Sequence, residues 1–115
     1  MEGSVLILAK TAAQRDWLCA LARQALPALA PAAQAFPLPL VPAHTRLLLV
    51  DMDGATLAQR QRLLTGLQQQ QLTGKTLLFS ARLEETLLQR ALDCDLAGYL
   101  LTSQSLPELC ELLTH

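Results

Sequence analysis

Aromatic residues are scarce in this sequence, with one Trp, one Tyr and two Phe in 115 residues. Any hydrophobic core must therefore be built mainly from Leu, Ala and Val. Charge is also sparse, at 17% of residues with a formal net charge of −1. No basic field exists to gather nucleic-acid phosphates or anionic lipid, so this chain alone is a poor nucleic-acid binder. No apolar run approaches the roughly 20 residues that span a bilayer. The start of the chain carries no basic segment followed by the apolar stretch of a secretory signal. Cys19, Cys94 and Cys110 are odd in number, form no C-x-x-C pair and sit among Leu and Ala. They read as buried free thiols of a reducing cytoplasm. His44 and His115 are isolated, with no second ligand at metal spacing. These absences predict a cytoplasmic protein without membrane span, metal or cofactor.

What is present is a 51% apolar chain of single-domain length, enough to bury a core without disulfides. Val5-Leu6-Ile7-Leu8-Ala9 and Arg46-Leu47-Leu48-Leu49-Val50 are continuous apolar runs, as expected of strands buried on both faces. Lys75–Ser80 and Gly98–Leu101 predict two more strands. Thr11-x-x-Gln14, Thr56-x-x-Gln59 and Ser105-x-x-Glu108 have the form of capping boxes. They open helices to about Leu26, to about Gln71 with Gly74 as terminator, and over the last residues. Glu84–Leu92 is a further helix.

Five prolines from Pro27 to Pro42 interrupt the stretch between the first helix and the second clear strand. At most one short edge strand fits there, near Gln34–Leu38, and no full helix. The alternative for this stretch is a disordered Ala/Pro linker. The alternation of strands and helices predicts an α/β fold with a mostly parallel five-stranded sheet covered on both faces.

In such sheets ligands sit beyond the carboxyl ends of the strands. Asp51 and Asp53 are the acidic residues there. A carboxylate at that edge could be a phosphoryl nucleophile or a Mg²⁺ ligand. Ser80 could donate to a phosphoryl oxygen, and Lys10 could stabilise negative charge. Asp, Gly and Ser are equally the residues with which strand-to-helix loops make turns and caps.

The pattern resembles a two-component response-regulator receiver domain over nearly the whole chain. Leu47-Leu48-Leu49-Val50-Asp51 looks like that family's acceptor strand, which places Asp51 at the phosphorylation position. Leu77-Leu78-Phe79-Ser80-Ala81 looks like its switch-residue strand. Gly98-Tyr99-Leu100-Leu101 and Ser105-Leu106-Pro107-Glu108-Leu109 look like its last strand and helix. The resemblance implies a three-layer, flavodoxin-like, doubly wound parallel sheet of five strands, here with the second helix reduced or absent. Two departures bear on the chemistry. Ala9 and Lys10 stand where the family has an acidic pair, and Thr102 stands where it has a Lys. Mg²⁺ and Lys do the electrostatic work of phosphoryl transfer. The resemblance therefore implies a degenerate phosphoacceptor region of Asp51, Asp53, Ser80, Lys10 and Thr102, with no catalytic residue and no metal.

Within that family the chain is similar to the CsgD-like and VpsT-like members of the LuxR-type transcription regulators. That similarity implies residues 1–115 as one receiver-like regulatory domain. A DNA-binding output domain is expected after His115, since Leu112-Leu113-Thr114-His115 reads as the middle of a helix. It also implies a homodimer through the last helices and strand, with Leu87, Leu88, Leu109 and Leu113 as the expected face. Some relatives bind cyclic di-GMP through a Trp-Φ-Thr-Arg type motif. Here Trp17-Leu18 continues into Cys19-Ala20, and the binding of such a nucleotide stays open. A second resemblance is to haloacid-dehalogenase-type phosphatases: Asp51-Met52-Asp53-Gly54 resembles their first motif. It implies Asp51 as nucleophile and Asp53 as acid/base, although Ala55 stands where that motif has Thr. A protein-interaction domain without ligand is the third reading.

Overall fold

The computed structural model describes residues 3–114. Its elements run β1 (Ser4–Leu8), α1 (Ala12–Ala25), β2 (Ala30–Gln34), β3 (Thr45–Asp51), α2 (Leu57–Gln69), β4 (Thr76–Ser80), α3 (Glu85–Asp93), β5 (Gly98–Leu101) and α4 (Leu106–Leu113). The strands form one sheet in the order β2-β1-β3-β4-β5, and every neighbouring pair is parallel. Successive strand residues point to opposite faces, and here both faces are apolar. Leu6, Leu8, Leu48, Val50 and Leu78 share a core with α2 and α3. Val5, Ile7, Leu49 and Phe79 share the other with α1 and α4. This three-layer doubly wound sheet is the expected fold class.

The proline-rich stretch differs from expectation in place and in kind. The edge strand is Ala30–Gln34, not Gln34–Leu38. Ala30 donates to Gly3 O, and Gln34 O accepts from Ala9. Parallel pairing to one neighbour uses alternate residues, so Pro31 has its missing donor on the solvent edge, where proline is tolerated. Residues 35–44 then return to β3 without a helix. An extended chain covers about 3.3 Å per residue against about 1.5 Å in a helix, which lets so short a segment make the crossover. The segment is packed, not a loose linker: Phe36, Leu38 and Val41 lie against the α2–α3 core. The Gln70 amide clamps it, accepting from Val41 N at 2.9 Å and donating to Pro39 O at 2.9 Å. Gln70→Ala should therefore cost about 1–2 kcal/mol, the usual effect of leaving such groups unpaired. Urea unfolding would measure it, and an unchanged midpoint would show that the clamp contributes nothing.

The caps at Thr11 and Thr56 are complete capping boxes. At Ser105 only half a box forms, because the Glu108 carboxylate accepts from the serine hydroxyl and not from its N–H. α2 is ended not by Gly74 but by Gln71, which adopts the left-handed conformation at φ 58°. Lys75 belongs to a 3₁₀ turn, Thr73–Lys75, before β4. The described part of α4 runs to Leu113, and Thr114 N–H donates to Cys110 O. His115 lies outside the described residues. Cys19, Cys94 and Cys110 are free, as expected, but partly exposed instead of buried.

The expected dimer face is also corrected. Leu109 is fully buried in the α1–α4 core and Leu87 is 4% exposed in the α2–α3 core. Leu113 is partly buried against the α1–α4 core. The apolar side chains that α3 and α4 leave in solvent are Leu88, Leu92 and Leu112. A helix beside a parallel sheet turns its i, i+4 stripe inward, and both helices had more leucine than that stripe uses.

Candidate functional site

The carboxyl ends of the central strands meet in a depression of about 320 Å³, lined by Ala13, Gln14, Trp17, Asp51, Asp53 and Thr102. Asp51 ends β3 in register with Phe79 of β4, so its side chain points to the α1–α4 side, as Phe79 does. Asp51 is 5% exposed. Its Oδ1 accepts from Asp53 N at 2.9 Å. Burial is the main influence on the carboxyl and pushes its pKa up to about 6; the Asp53 N–H opposes this, the Asp53 charge adds to it and the Gln14 amide opposes it.

Asp53 faces the neighbouring loop. Its Oδ2 accepts from Ala81 N at 2.8 Å, while its carbonyl accepts from the Gln14 amide at 3.0 Å. Gly54 follows at φ +82°, and its carbonyl accepts from Lys10 Nζ at 2.9 Å. The β3–α2 loop is thus tied to β1–α1, to α1 and to β4–α3 by three contacts from Asp53 and Gly54.

Of the five residues expected at this site, the structure gathers Asp51, Asp53 and Thr102 around one depression. Lys10 stands at its border, engaged with a carbonyl. Ser80 is not part of it. One residue beyond the Phe79 register position, it projects to the opposite face of the sheet. There Ser80 Oγ donates to Arg82 O at 2.6 Å and lies against the hydroxyl of Tyr99. That Tyr99 oxygen also accepts from Glu84 N. Ser80 therefore fastens the β4–α3 loop instead of facing the carboxylates.

Several participants escaped the sequence reading. Gln14 and Trp17 were legible only as a cap and a core-stripe residue. Their second role arises because α1 packs beside the end of β3. Arg60 carried no local signal. Its guanidinium makes a two-pronged ion pair with Glu84, at 2.9 and 3.2 Å, and also donates to Met52 O. The Glu84 hydrogen bond is the main reason its pKa lies above the usual value. Arg60 Nε is buried without a partner, an imperfection that the fork to Glu84 and Met52 offsets.

The Mg²⁺ on which phosphoryl transfer depends in the receiver family does not fit these residues. Ala9 is fully buried and apolar, and Lys10 places an ammonium near the loop. Among the described residues, no three His, Cys, Asp or Glu side chains gather. Hard divalent cations need several oxygen ligands.

No protein-family model matches the chain, and no curated protein matches it significantly. Solved structures do. The chain is similar to the signal receiver domain of a two-component histidine kinase from Clostridium thermocellum, with TM-score 0.74 and 10% identity over 99% of this chain and 98% of that one. The fold is that of a receiver domain. The receiver domain of NarL, described as a response regulator of Mycobacterium tuberculosis, matches at TM-score 0.66 and 21% identity over 98% of this chain and 94% of that one. A protein of Burkholderia thailandensis described as a pilus assembly protein matches at TM-score 0.70 and 13% identity over 96% and 94%. Identities this low carry the receiver fold and nothing finer. The phosphatase resemblance is not favoured: two of these matches are described as receiver domains and none as a phosphatase, and the carboxylate cast as acid/base is committed to the Ala81 N–H. No helix is long and apolar enough to cross a membrane among the described residues.

Proposed function

We propose that this chain is a receiver-like regulatory domain of a bacterial signal-transduction or transcription regulator that works without Mg²⁺-dependent phosphorylation. The observation that carries this is the occupancy of the carboxyl edge. Ala9, Lys10 and Thr102 stand at the metal and charge-stabilising positions of the family it resembles, and the Ala81 N–H at the same edge is taken by Asp53. Catalysis of phosphoryl transfer rests on positioned positive charge, and the cations beside this edge are bonded to carbonyls instead. The domain is not an enzyme in this reading. It acts in the cytoplasm by association, as a homodimer through α3, β5 and α4, with Leu88, Leu92 and Leu112 as its exposed apolar contacts. DNA is reached only through an output domain after residue 115.

The test is a beryllofluoride and Mg²⁺ titration followed by amide NMR. No saturable change is expected. A response that disappears in Asp51→Asn would overturn the reading. Sedimentation at tens of micromolar should show a dimer, and a monomer there would remove the dimer claim. The fold match described as a pilus assembly protein favours a second reading, in which the same association surface docks the domain into an assembly machine. The gene product's segment after residue 115 separates the two, since a helix-turn-helix there supports only the first.

A further inference from the structure

A cleft of about 380 Å³ lies between the crossover segment, residues 35–44, and α2. Phe36, Leu38 and Leu63 give it an apolar wall, and all three are anchored in the α2–α3 core. The crossover side is held in place, because the Gln70 amide spends both its ends on Val41 N and Pro39 O. Gly66 forms the floor, in the interior of α2. A methyl there would come within 3.1 Å of Leu38 Cδ2. Glycine is disfavoured inside a helix, and what it gains here is the close approach of Leu38 and an open floor. The polar rim is one-sided. Gln59 Oε1 is taken by Thr56 N, which leaves the Gln59 NH₂ as its donor. Arg62 is the one charged residue of the lining. It is exposed and stands outside the one ion pair among the described residues, Arg60–Glu84. No acidic residue occurs from 17 to 50 or from 54 to 83, so neither wall carries negative charge.

We infer that this cleft receives a small amphiphilic acid, its hydrocarbon or aromatic body against Phe36, Leu38 and Leu63 and its carboxylate at the Arg62 guanidinium and the Gln59 NH₂. Small-molecule sites are concave and largely apolar, with a few polar groups that set orientation, and hold roughly 300–1,000 Å³. The cleft has that composition and lies at the small end of that range. The guanidinium fork matches the two oxygens of a carboxylate. A wholly apolar ligand would leave both donors unused, and a cation would meet only the charge of Arg62. The inference stands on the cleft alone and does not depend on the regulator reading.

The probe is 4-phenylbutanoate, titrated into the full chain at neutral pH and followed by amide NMR, with 4-phenylbutanamide as its uncharged counterpart and NaCl at matched ionic strength as reference. Saturable shifts at the Leu38, Gln59 and Gly66 amides are expected. The uncharged probe should bind about two- to fivefold more weakly, the usual worth of an exposed ion pair. Arg62→Gln changes an exposed position and leaves the fold intact. It should erase that difference while both probes still bind. Gly66→Ala adds a methyl to the floor, at no cost in helix propensity, and should weaken both probes alike. The inference is overturned by shifts that do not saturate or that centre away from the cleft. It is equally overturned if acid and amide bind the unsubstituted chain alike, or if a preference for the acid survives in Arg62→Gln.

Discussion

Replacing Asp51 with Asn is expected to stabilise the protein by about 3 kcal/mol above neutral pH and by almost nothing at about pH 3. The sign follows from burial. In the unfolded chain the carboxyl titrates near 3.8, and in the folded protein near 6. Below both values it is neutral in both states, and no penalty exists. As pH rises between them, the unfolded chain releases its proton while the folded protein holds it, so stability falls. Above the folded value the full cost of a buried anion remains. Asn keeps the contact with Asp53 N–H and removes the charge. Denaturant midpoints of parent and variant should converge at acid pH and separate through the interval. At neutral pH the thermal midpoint should rise on the order of 10 °C. Equal stability at neutral pH would mean that the carboxylate is solvated well enough to ionise freely. A charge maintained at this expense is the usual signature of a functional position.

Leu109→Ala is expected to cost about 2–5 kcal/mol, a large share of the stability of a small domain. Leu109 is fully buried between α1 and α4, where no neighbour can easily fill the void. Leu112→Ala, three residues along the same helix and 48% exposed, should change stability by less than about 0.5 kcal/mol and instead weaken self-association. Urea unfolding and sedimentation of the two variants therefore separate core from interface. If Leu109→Ala unfolded like the parent but lost the dimer, Leu109 would belong on the interface after all.

Much of the architecture was legible along the chain. The apolar runs around Ile7, Leu49 and Leu78 are buried on both faces in any parallel sheet. The Thr11 and Thr56 boxes mark helix starts by contacts within three residues. Local chemistry of this kind needs no knowledge of distant segments. The edge strand was misplaced because proline merely forbids a donor. Only pairing with β1 decides which residues turn their donors outward and hence that Ala30–Gln34, including Pro31, forms the strand. The leucines of α3 and α4 could not be sorted into core and surface for a similar reason. Their periodicity allowed more than one inward stripe, and the position of the sheet selected it.

At the site, the sequence by itself determined which groups are present: Asp51 and Asp53 at the end of a buried strand, with Ala9, Lys10 and Thr102 where a metal and a cation would otherwise be served. Only the tertiary structure decided what they do. Register turns Asp51 toward Trp17 and Thr102 and turns Ser80 away toward Tyr99. Loop packing spends Asp53 on Ala81 N–H and Lys10 on Gly54 O. Residue type fixes the charges and donors a chain carries. The environment that makes a carboxylate costly, and the partners that neutralise it or leave it bare, come from segments far apart in sequence and brought together by the sheet.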